Sequence, residues 1–482
     1  MNDYKNLSDK EFYFIKKREL DYFSNLGKIP GLLKKKINPS AILSILRIGH
    51  LLDTQTTIEN IFCSSWMMTK ISNTKNNTII LPKHDKKLIS VDKISEELKK
   101  RLINEALEFV KDKSVVGVLL SGGMDSRVVA SVIRELQISG KYMGKVVVLS
   151  WGLKNSRDVA YSQRVAKLFA WEYRYFKLSP QMLKENIILA GERGAMYSPV
   201  HLHAMKEVSE TKGLDGILAG SYGDMVGRAE FSGVKVQNLP NLLKKNLNSF
   251  AFMLNDAQKD SFKDFKNIFK ISRSRVLAGS EQDYREIDMH IHYTRRLLNS
   301  CMQVINEKIP LYQMFTSPTV YGFMWSLDYN SRTDDVYEFL LKKLPGNLLE
   351  IPWARTGKKF NKSSSLLKDD LIAKNNLYGY WLRNDLREFV IEKILNGNLQ
   401  KIGIFNKTSL KMFCKNWKKD DISTADRLDQ QMAWLASLSI FVEKYDIQPN
   451  FIYKKNIKDI IEELKAKFYY FAYYNVRKFL RK

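Results

Sequence analysis

Cysteine is scarce in this chain of 482 residues: Cys63, Cys301 and Cys414 are all there is. They lie far apart and form neither a metal-ligand nor a redox pair, which excludes a disulfide-stapled fold and fits a reducing compartment. No uninterrupted apolar run is long enough to span a bilayer. Nor does the start of the chain read as a signal segment, since it leads straight into charged sequence. The expectation is a cytoplasmic protein. Zinc-type spacing is also missing: His290 and His292, two apart, would not share a helix face and read as structural. What is present is a globular composition, 44% apolar and 12% aromatic, with material for two or three domains. Charge is one-sided, 78 basic against 52 acidic residues for a net +26. The lysines are spread along the chain among many Asn and Ile residues, so a general compositional bias is preferred and nucleic-acid binding is not favoured.

The most informative stretch runs from Val115 to Ala130. Val115 to Leu120 is a near-continuous apolar run, the pattern of a strand buried on both faces. Ser121, Gly122 and Gly123 break it. Beyond Asp125 and Ser126, apolar residues at Val129, Val132, Ile133 and Leu136 recur at helical spacing. A strand, a Gly-Gly turn and a helix N-terminus gather unpaired N–H groups and a positive dipole end at one point, a setting for a phosphate. The glycines allow close backbone approach, and Ser121 and Ser126 add hydroxyl donors. Asp125 would repel bare phosphate, which points to Mg²⁺ bridging the two. No Gly-Lys-Ser/Thr follows the glycines, so this is not a Walker loop.

The run Leu119-Leu120-Ser121-Gly122-Gly123-Met124-Asp125-Ser126 resembles the pyrophosphate loop of the ATP-pyrophosphatase (adenine nucleotide alpha-hydrolase) superfamily, most of all its asparagine synthetase branch. The resemblance implies an α/β fold, a doubly wound parallel sheet with a helical C-terminal half and a small α+β N-terminal element. Strand–helix alternation supports this independently: Lys145 to Trp151, Asp158 to Phe169 and Trp171 to Leu178 read as strand, helix and strand. Ligands in such sheets lie beyond the carboxyl ends of the strands. Trp151 and Gly152 end the second strand, where the superfamily holds adenine; Trp151 either stacks there or packs into the core. Gly216 to Gly227 repeats the first motif's logic, a short apolar strand and a glycine turn bearing one acid, Asp224. The resemblance implies that Gly220, Ser221, Tyr222 and Gly223 face the phosphate loop and that Asp224 contacts Mg²⁺ or pyrophosphate. Met225 stands where the family has Glu, a departure that bears on recognition of aspartate.

Three segments are expected: 1–91, an N-terminal helix and a small β element similar to the tail of a glutaminase domain; 92–360, the synthetase-like domain; and 361–482, a helical region. Met1 to about Ser40 reads as amphipathic helix and linker, and Ala41 to Leu52 as a helix. Alternating segments between Thr54 and Val91 read as strands. Helices are expected over Asp92–Lys111, Leu183–Arg193, Leu202–Lys212, Phe315–Leu327, Val336–Leu344 and Leu366–Ile372. Glutamine-dependent members of the family begin with a cysteine nucleophile; this chain begins Met1-Asn2, which implies that it has no glutaminase activity of its own. Arg295 and Arg296 fall where the family has an arginine near its substrate. Glu307 to Tyr312 resembles a pocket-shaping segment. Lys358 or Lys359, in a basic loop, is placed to reach a leaving pyrophosphate or else is a solvated pair. Ile457 to Lys482 is a helix dense in aromatics and lysines, suited either to anionic lipid or to docking on a partner or its own core.

These residues imply an ATP-dependent, AMP-forming carbon–nitrogen ligase using ATP and Mg²⁺, with Asp125, Asp224 and Lys358 as catalytic candidates. Leu120, Ser121, Gly122, Gly123 and Ser126 would bind nucleotide with Trp151, Gly152 and the second loop. The substrate would be a small-molecule or peptide carboxylate, and the nitrogen ammonia or an amine, supplied by a partner protein in one variant. The alternatives are an ATP-dependent tRNA-modifying enzyme of the same superfamily and a non-catalytic nucleotide-binding descendant.

Overall fold

The strand Val115–Leu119 has no polar side, and its neighbours explain why. In the computed structural model it sits in the middle of a five-stranded sheet in which every pairing is parallel. The structure describes residues 11–15, 22–23, 25–29, 31–32, 34–66, 68–72, 75–78, 85–226, 235, 238–246, 250–277, 279–360 and 370–479.

Strands in chain order are β1 (Tyr13–Ile15), β2 (Tyr22–Phe23), β3 (Ile61–Cys63), β4 (Met68–Ser72), β5 (Lys75–Thr78), β6 (Val115–Leu119), β7 (Lys145–Gly152), β8 (Glu172–Lys177), β9 (Gly216–Ala219) and β10 (Leu311–Gln313). The central sheet has the order β10-β9-β6-β7-β8. Its strands are buried on alternate faces. Val116, Val118, Val146, Val148 and Leu218 join one apolar cluster, while Leu119, Val147, Leu149, Ile217 and Ala219 join another. Two-sided burial of this kind is what a parallel sheet with covered faces requires.

The helices preceding and within the sheet are α1 (Pro39–Ile48), α2 (Val91–Val110), α3 (Met124–Ile138), α4 (Arg157–Leu168) and α5 (Pro180–Glu192). On α2 the buried residues Ile94, Leu98, Leu102, Ala106 and Val110 form one stripe, and Ser90 caps its N-terminus. The chain winds from β6 through β7 to β8, then crosses back to lay β9 on the other side of β6. That reversal opens a crevice between the carboxyl ends of β6 and β9.

Beyond β8 follow α6 (Met205–Ser209), α7 (Gly223–Val226), α8 (Asn255–Arg273) and α9 (Glu281–Asp288). The last continues through a π-helical stretch, Met289–Asn299, into α10 (Ser300–Asn306). Then come α11 (Pro318–Ser326), α12 (Asp335–Lys342), α13 (Tyr378–Arg383), α14 (Arg387–Leu395), α15 (Asn398–Lys401), α16 (Lys407–Asn416), α17 (Arg427–Lys444) and α18 (Ile457–Phe479). One apolar core joins Tyr13 and Ile42 from the N-terminal part to Leu149 and Ile217 of the sheet and to Trp434 and Leu438 of α17. The segments before and after the sheet domain therefore close one of its faces.

Some local expectations are corrected. The start of the described chain is not an amphipathic helix: β1 lies between β2 and β3 in an antiparallel sheet. The misleading residue is Glu11, which counts as a surface residue in any apolar pattern yet is buried. It accepts from Ser300 Oγ at 2.9 Å and Asn299 Nδ2 at 3.2 Å, with Arg296 Nη1 at 3.5 Å. The helix expected over Leu202–Lys212 shrinks to Met205–Ser209, because His203 has a left-handed backbone (φ 46°) that a helix cannot include. Leu311–Gln313 proves to be an edge strand. Most of the helix expected over Leu366–Ile372 lies outside the described residues; Ile372 itself bridges to Ser156.

Removing one partner of a buried charge pair leaves the other uncompensated. Glu11→Ala should cost about 3 kcal/mol by stranding Arg296, read as a lower urea midpoint, whereas Lys100→Ala on the exposed side of α2 should leave the midpoint within error.

Candidate functional site

The end of β6 turns sharply because Gly122 and Gly123 follow Ser121, and α3 starts at Met124 with Gly123 as its N-cap and no side-chain cap. The loop is tied down from several sides. Ser126 Oγ accepts from Ser121 N–H at 3.2 Å and lies 3.3 Å from Ser121 Oγ. Gly122 N–H donates to Asp158 Oδ1 at 3.0 Å, and Gly123 N–H donates to Ser121 Oγ at 3.1 Å. The loop's own N–H groups are thus occupied locally. Donors left for an anion belong to the first turn of α3, where the helix dipole is also most favourable.

Arg127, fully buried, locks this corner from behind. It donates to the carbonyls of Leu348 at 3.0 Å, Ile351 at 2.6 Å and Gly122 at 3.1 Å, and also to that of Pro352. Burial lowers its pKa to about 10, still cationic at neutral pH. Burial also raises the Asp158 carboxyl, against the Gly122 N–H and Arg127, which favour its charged form. Neither residue was singled out by sequence pattern. Arg127 sits inside the first helical turn and reads there as surface, while Asp158 lies 36 positions from its partner.

The second corner, Gly220 to Asp224, is brought against the first because β9 pairs with β6, with Ala219 opposite Leu119. The approach is close enough to require glycine. A Cβ on Gly220 would lie 2.6 Å from the Asp125 carbonyl carbon and 2.7 Å from Ser126 N. One on Gly223 would lie 2.7 Å from Asp125 Oδ1. Tyr222 between them adopts φ 74°, a conformation rare for a bulky residue and seen at sites where surroundings over-determine it.

Together the corners enclose a cavity of about 340 Å³, within the range of small-molecule sites. Leu120, Ser121, Gly123, Asp125, Ser126, Trp151, Gly220, Ser221, Tyr222 and Asp224 all line it. Gly122, Gly152 and Gly223 are not in the lining but support it from behind. Gly122 packs on Ala354 and Gly152 on Asn375, whose side chains an added Cβ would strike at 2.5 and 2.0 Å. Lys358 is not brought into the cavity lining, and Lys359 pairs with Glu350. The Lys358 turn nonetheless touches the first corner, since Ala354 N–H donates to the Gly122 carbonyl at 3.2 Å. Arg295 and Arg296 are likewise absent from the lining; Arg296 instead donates to the Gln55 carbonyl at 2.7 Å. Met225 turns into a core cluster with Phe265, Phe269 and Met289 and leaves the cavity to Asp224. Glu307 forms a bidentate pair with Arg193, at 2.6 and 3.0 Å, rather than shaping the cavity. His292 accepts from Asp53 N–H at 3.1 Å, the structural role expected of it.

The far wall was not anticipated. His201 and His203 line it with Met205, Leu298, Cys301 and Met302. The His203 ring is sandwiched between Trp151, 6.1 Å away, and Tyr378, 5.7 Å away, and its Nδ1 is 2.8 Å from the Tyr378 hydroxyl. Trp151 therefore both lines the cavity and stacks on a neighbour. Two histidines two apart in a loop give no periodic signal. Burial lowers both imidazoles to about 4. Among the described lining residues the carboxylic acids are Asp125 and Asp224, and no lysine or arginine stands with them. No group of three or more His, Cys, Asp or Glu side chains able to hold a metal occurs among the described residues. Two carboxylates fit Mg²⁺ better than zinc, because Mg²⁺ keeps few protein ligands and takes the rest from phosphates and water.

An α/β sheet with paired glycine corners at its switch point, facing one cavity, is the arrangement in which open parallel sheets bind their ligands. Residues 99–320 match the family model described as asparagine synthase. The structure of NMN synthetase from Francisella tularensis is similar over 46% of this chain and 93% of its own, at 14% identity and a TM-score of 0.20. Comparison with curated proteins finds no match.

Gly220→Ala would drive a methyl into backbone that cannot yield, and should destabilise by about 1–3 kcal/mol, visible as a lower thermal midpoint. The cavity histidines should stay uncharged well below neutrality: imidazole proton NMR should give His201 and His203 midpoints at about 4 rather than the ordinary 6.5. Midpoints above 6 would show that the wall is wetter than the structure has it.

Proposed function

We propose that this chain is an ATP-dependent carbon–nitrogen ligase that activates a carboxylate by adenylation and passes the acyl group to nitrogen. The observation that supports this most is the shared cavity: Asp125 and Ser126 from one glycine corner face Asp224 and Ser221 from the other. The first turn of α3, Ser121 and Ser126 would hold the departing pyrophosphate. Asp125 and Asp224 would hold Mg²⁺, which when bound offsets the charge developing on the phosphates. A substrate carboxylate oxygen bonds to the α-phosphorus as the bond to the bridging oxygen breaks, releasing pyrophosphate. A nitrogen nucleophile then attacks the acyl carbon; AMP leaves with the bonding electrons, and the nitrogen gives up a proton.

The wall formed by Trp151, the two histidines, Met205 and Met302 excludes water from a mixed anhydride that water would destroy. The nitrogen would be ammonia, free or handed over by a partner protein, or an amine carried by the substrate. Met225, turned into the core, leaves the position next to Asp224 without a second acid, which favours a substrate other than aspartate.

The test is ATP–pyrophosphate exchange with Mg²⁺ across a panel of carboxylic acids. An acid that supports exchange is expected, and Asp125→Asn should reduce the rate on the order of a hundredfold, about 3 kcal/mol, with an unchanged circular dichroism spectrum. Exchange that survives the substitution, or ATP binding without AMP from any acid, would remove the assignment.

A further inference from the structure

The C-terminal helix α18 is two-faced in a way its own packing does not use. One face is docked. Ala466 and Tyr470 are buried, and the Tyr470 hydroxyl donates to the Asn416 carbonyl at 2.6 Å with its ring edge-on to Phe413. Asp459, also on that face, accepts from Asn255 N–H at 2.7 Å. Rotated well away from it, Ile457, Ile461, Leu464, Phe468 and Phe471 recur at alternating steps of four and three, with Ile460 beside them, and all are exposed. Exposure reaches 76% at Ile457, 63% at Leu464 and 77% at Phe468. Isolated surface leucines need no explanation, but a continuous stripe along one helix does.

At 3.6 residues per turn, exposed Lys458 and Lys465 run along one margin of the stripe, and exposed Lys467 borders the other. Lys465 also reaches Glu462 at 2.8 Å. Of the helix's other acids, Asp459 is spent on the docked face and Glu463 pairs with Lys455 at 2.6 Å. Tyr469 and Tyr473, stacked at 6.3 Å, sit beyond the lysine margin and are half out of the protein. Lysines beside an apolar stripe can lay their stems on it and lift their ammonium groups to a phosphate plane, and tyrosine suits the same depth.

We propose that this stripe is a docking surface for an anionic lipid bilayer, on which α18 lies parallel to the plane. Charge selects this occupant over a second copy of the chain: each copy carries +26, so self-association through a lysine-edged stripe brings like charges together, whereas an anionic surface attracts both margins and the chain as a whole. Among the described residues no helix is long and apolar enough to cross a membrane, consistent with a helix that rests on the surface.

Co-sedimentation of the full chain with vesicles tests this. Vesicles of phosphatidylcholine with phosphatidylglycerol should pull the protein down, pure phosphatidylcholine should do so weakly, and raised salt should release it. Leu464→Asp with Phe468→Asp should reduce binding by roughly tenfold or more, with the thermal midpoint unchanged because both side chains face solvent. Lys458→Glu with Lys465→Glu should weaken binding to anionic vesicles alone. Failure to sediment with anionic vesicles, equal binding by the double aspartate variant, or salt-independent binding to neutral vesicles would each overturn the proposal. So would light scattering that shows a dimer which those aspartates dissolve.

Discussion

The parallel pairing of β9 with β6 is the constraint on which the site depends. Ala219 opposite Leu119 sets the two following corners side by side, and the absence of a side chain at Gly220 lets their backbones meet at the Asp125–Ser126 peptide. A one-residue slip in that register would move every strand side chain to the wrong face. It would also part the two acids. Stability and site geometry are thus fixed by the same hydrogen bonds, and the two apolar clusters on either side of the sheet hold the register.

A second layer of support is polar and buried. Arg127 binds the Gly122 carbonyl and three carbonyls between Leu348 and Pro352, joining the first corner to a segment more than 200 positions later. Arg296, Glu11 and Arg193, with Glu307, perform similar work behind the far wall, where the π-helical stretch delivers Leu298 and then Cys301 and Met302 to the cavity. Buried ions of this kind contribute little net stability when paired, but each is costly to break. They make the surroundings of the cavity unforgiving of small rearrangements.

Much of this was legible in the residues. The strand Val115–Leu119, the Gly-Gly break and the periodic helix after it declared themselves because each obeys a local rule, and the same rule found Gly220–Asp224. What stayed hidden depended on partners distant in sequence. Glu11 reads as surface until Ser300 and Arg296 are placed around it. His203 reads as part of a helix until its left-handed backbone and the rings of Trp151 and Tyr378 are seen. Leu311–Gln313 is too short to show a period and becomes a strand only beside β9. Lys358 is a different case: a basic loop in sequence carries no information about which way it is folded, and its turn meets the first corner through Ala354.

With Asp125 and Asp224 but no lysine or arginine among the described lining residues, an uncomplexed polyphosphate would meet acidic side chains without a basic one to offset them. A divalent ion carried in with it reverses the sign of that encounter. On the function proposed above, the crevice would discriminate between chelated and bare nucleotide before any bond is made, so its occupancy would follow free magnesium as closely as the supply of ATP.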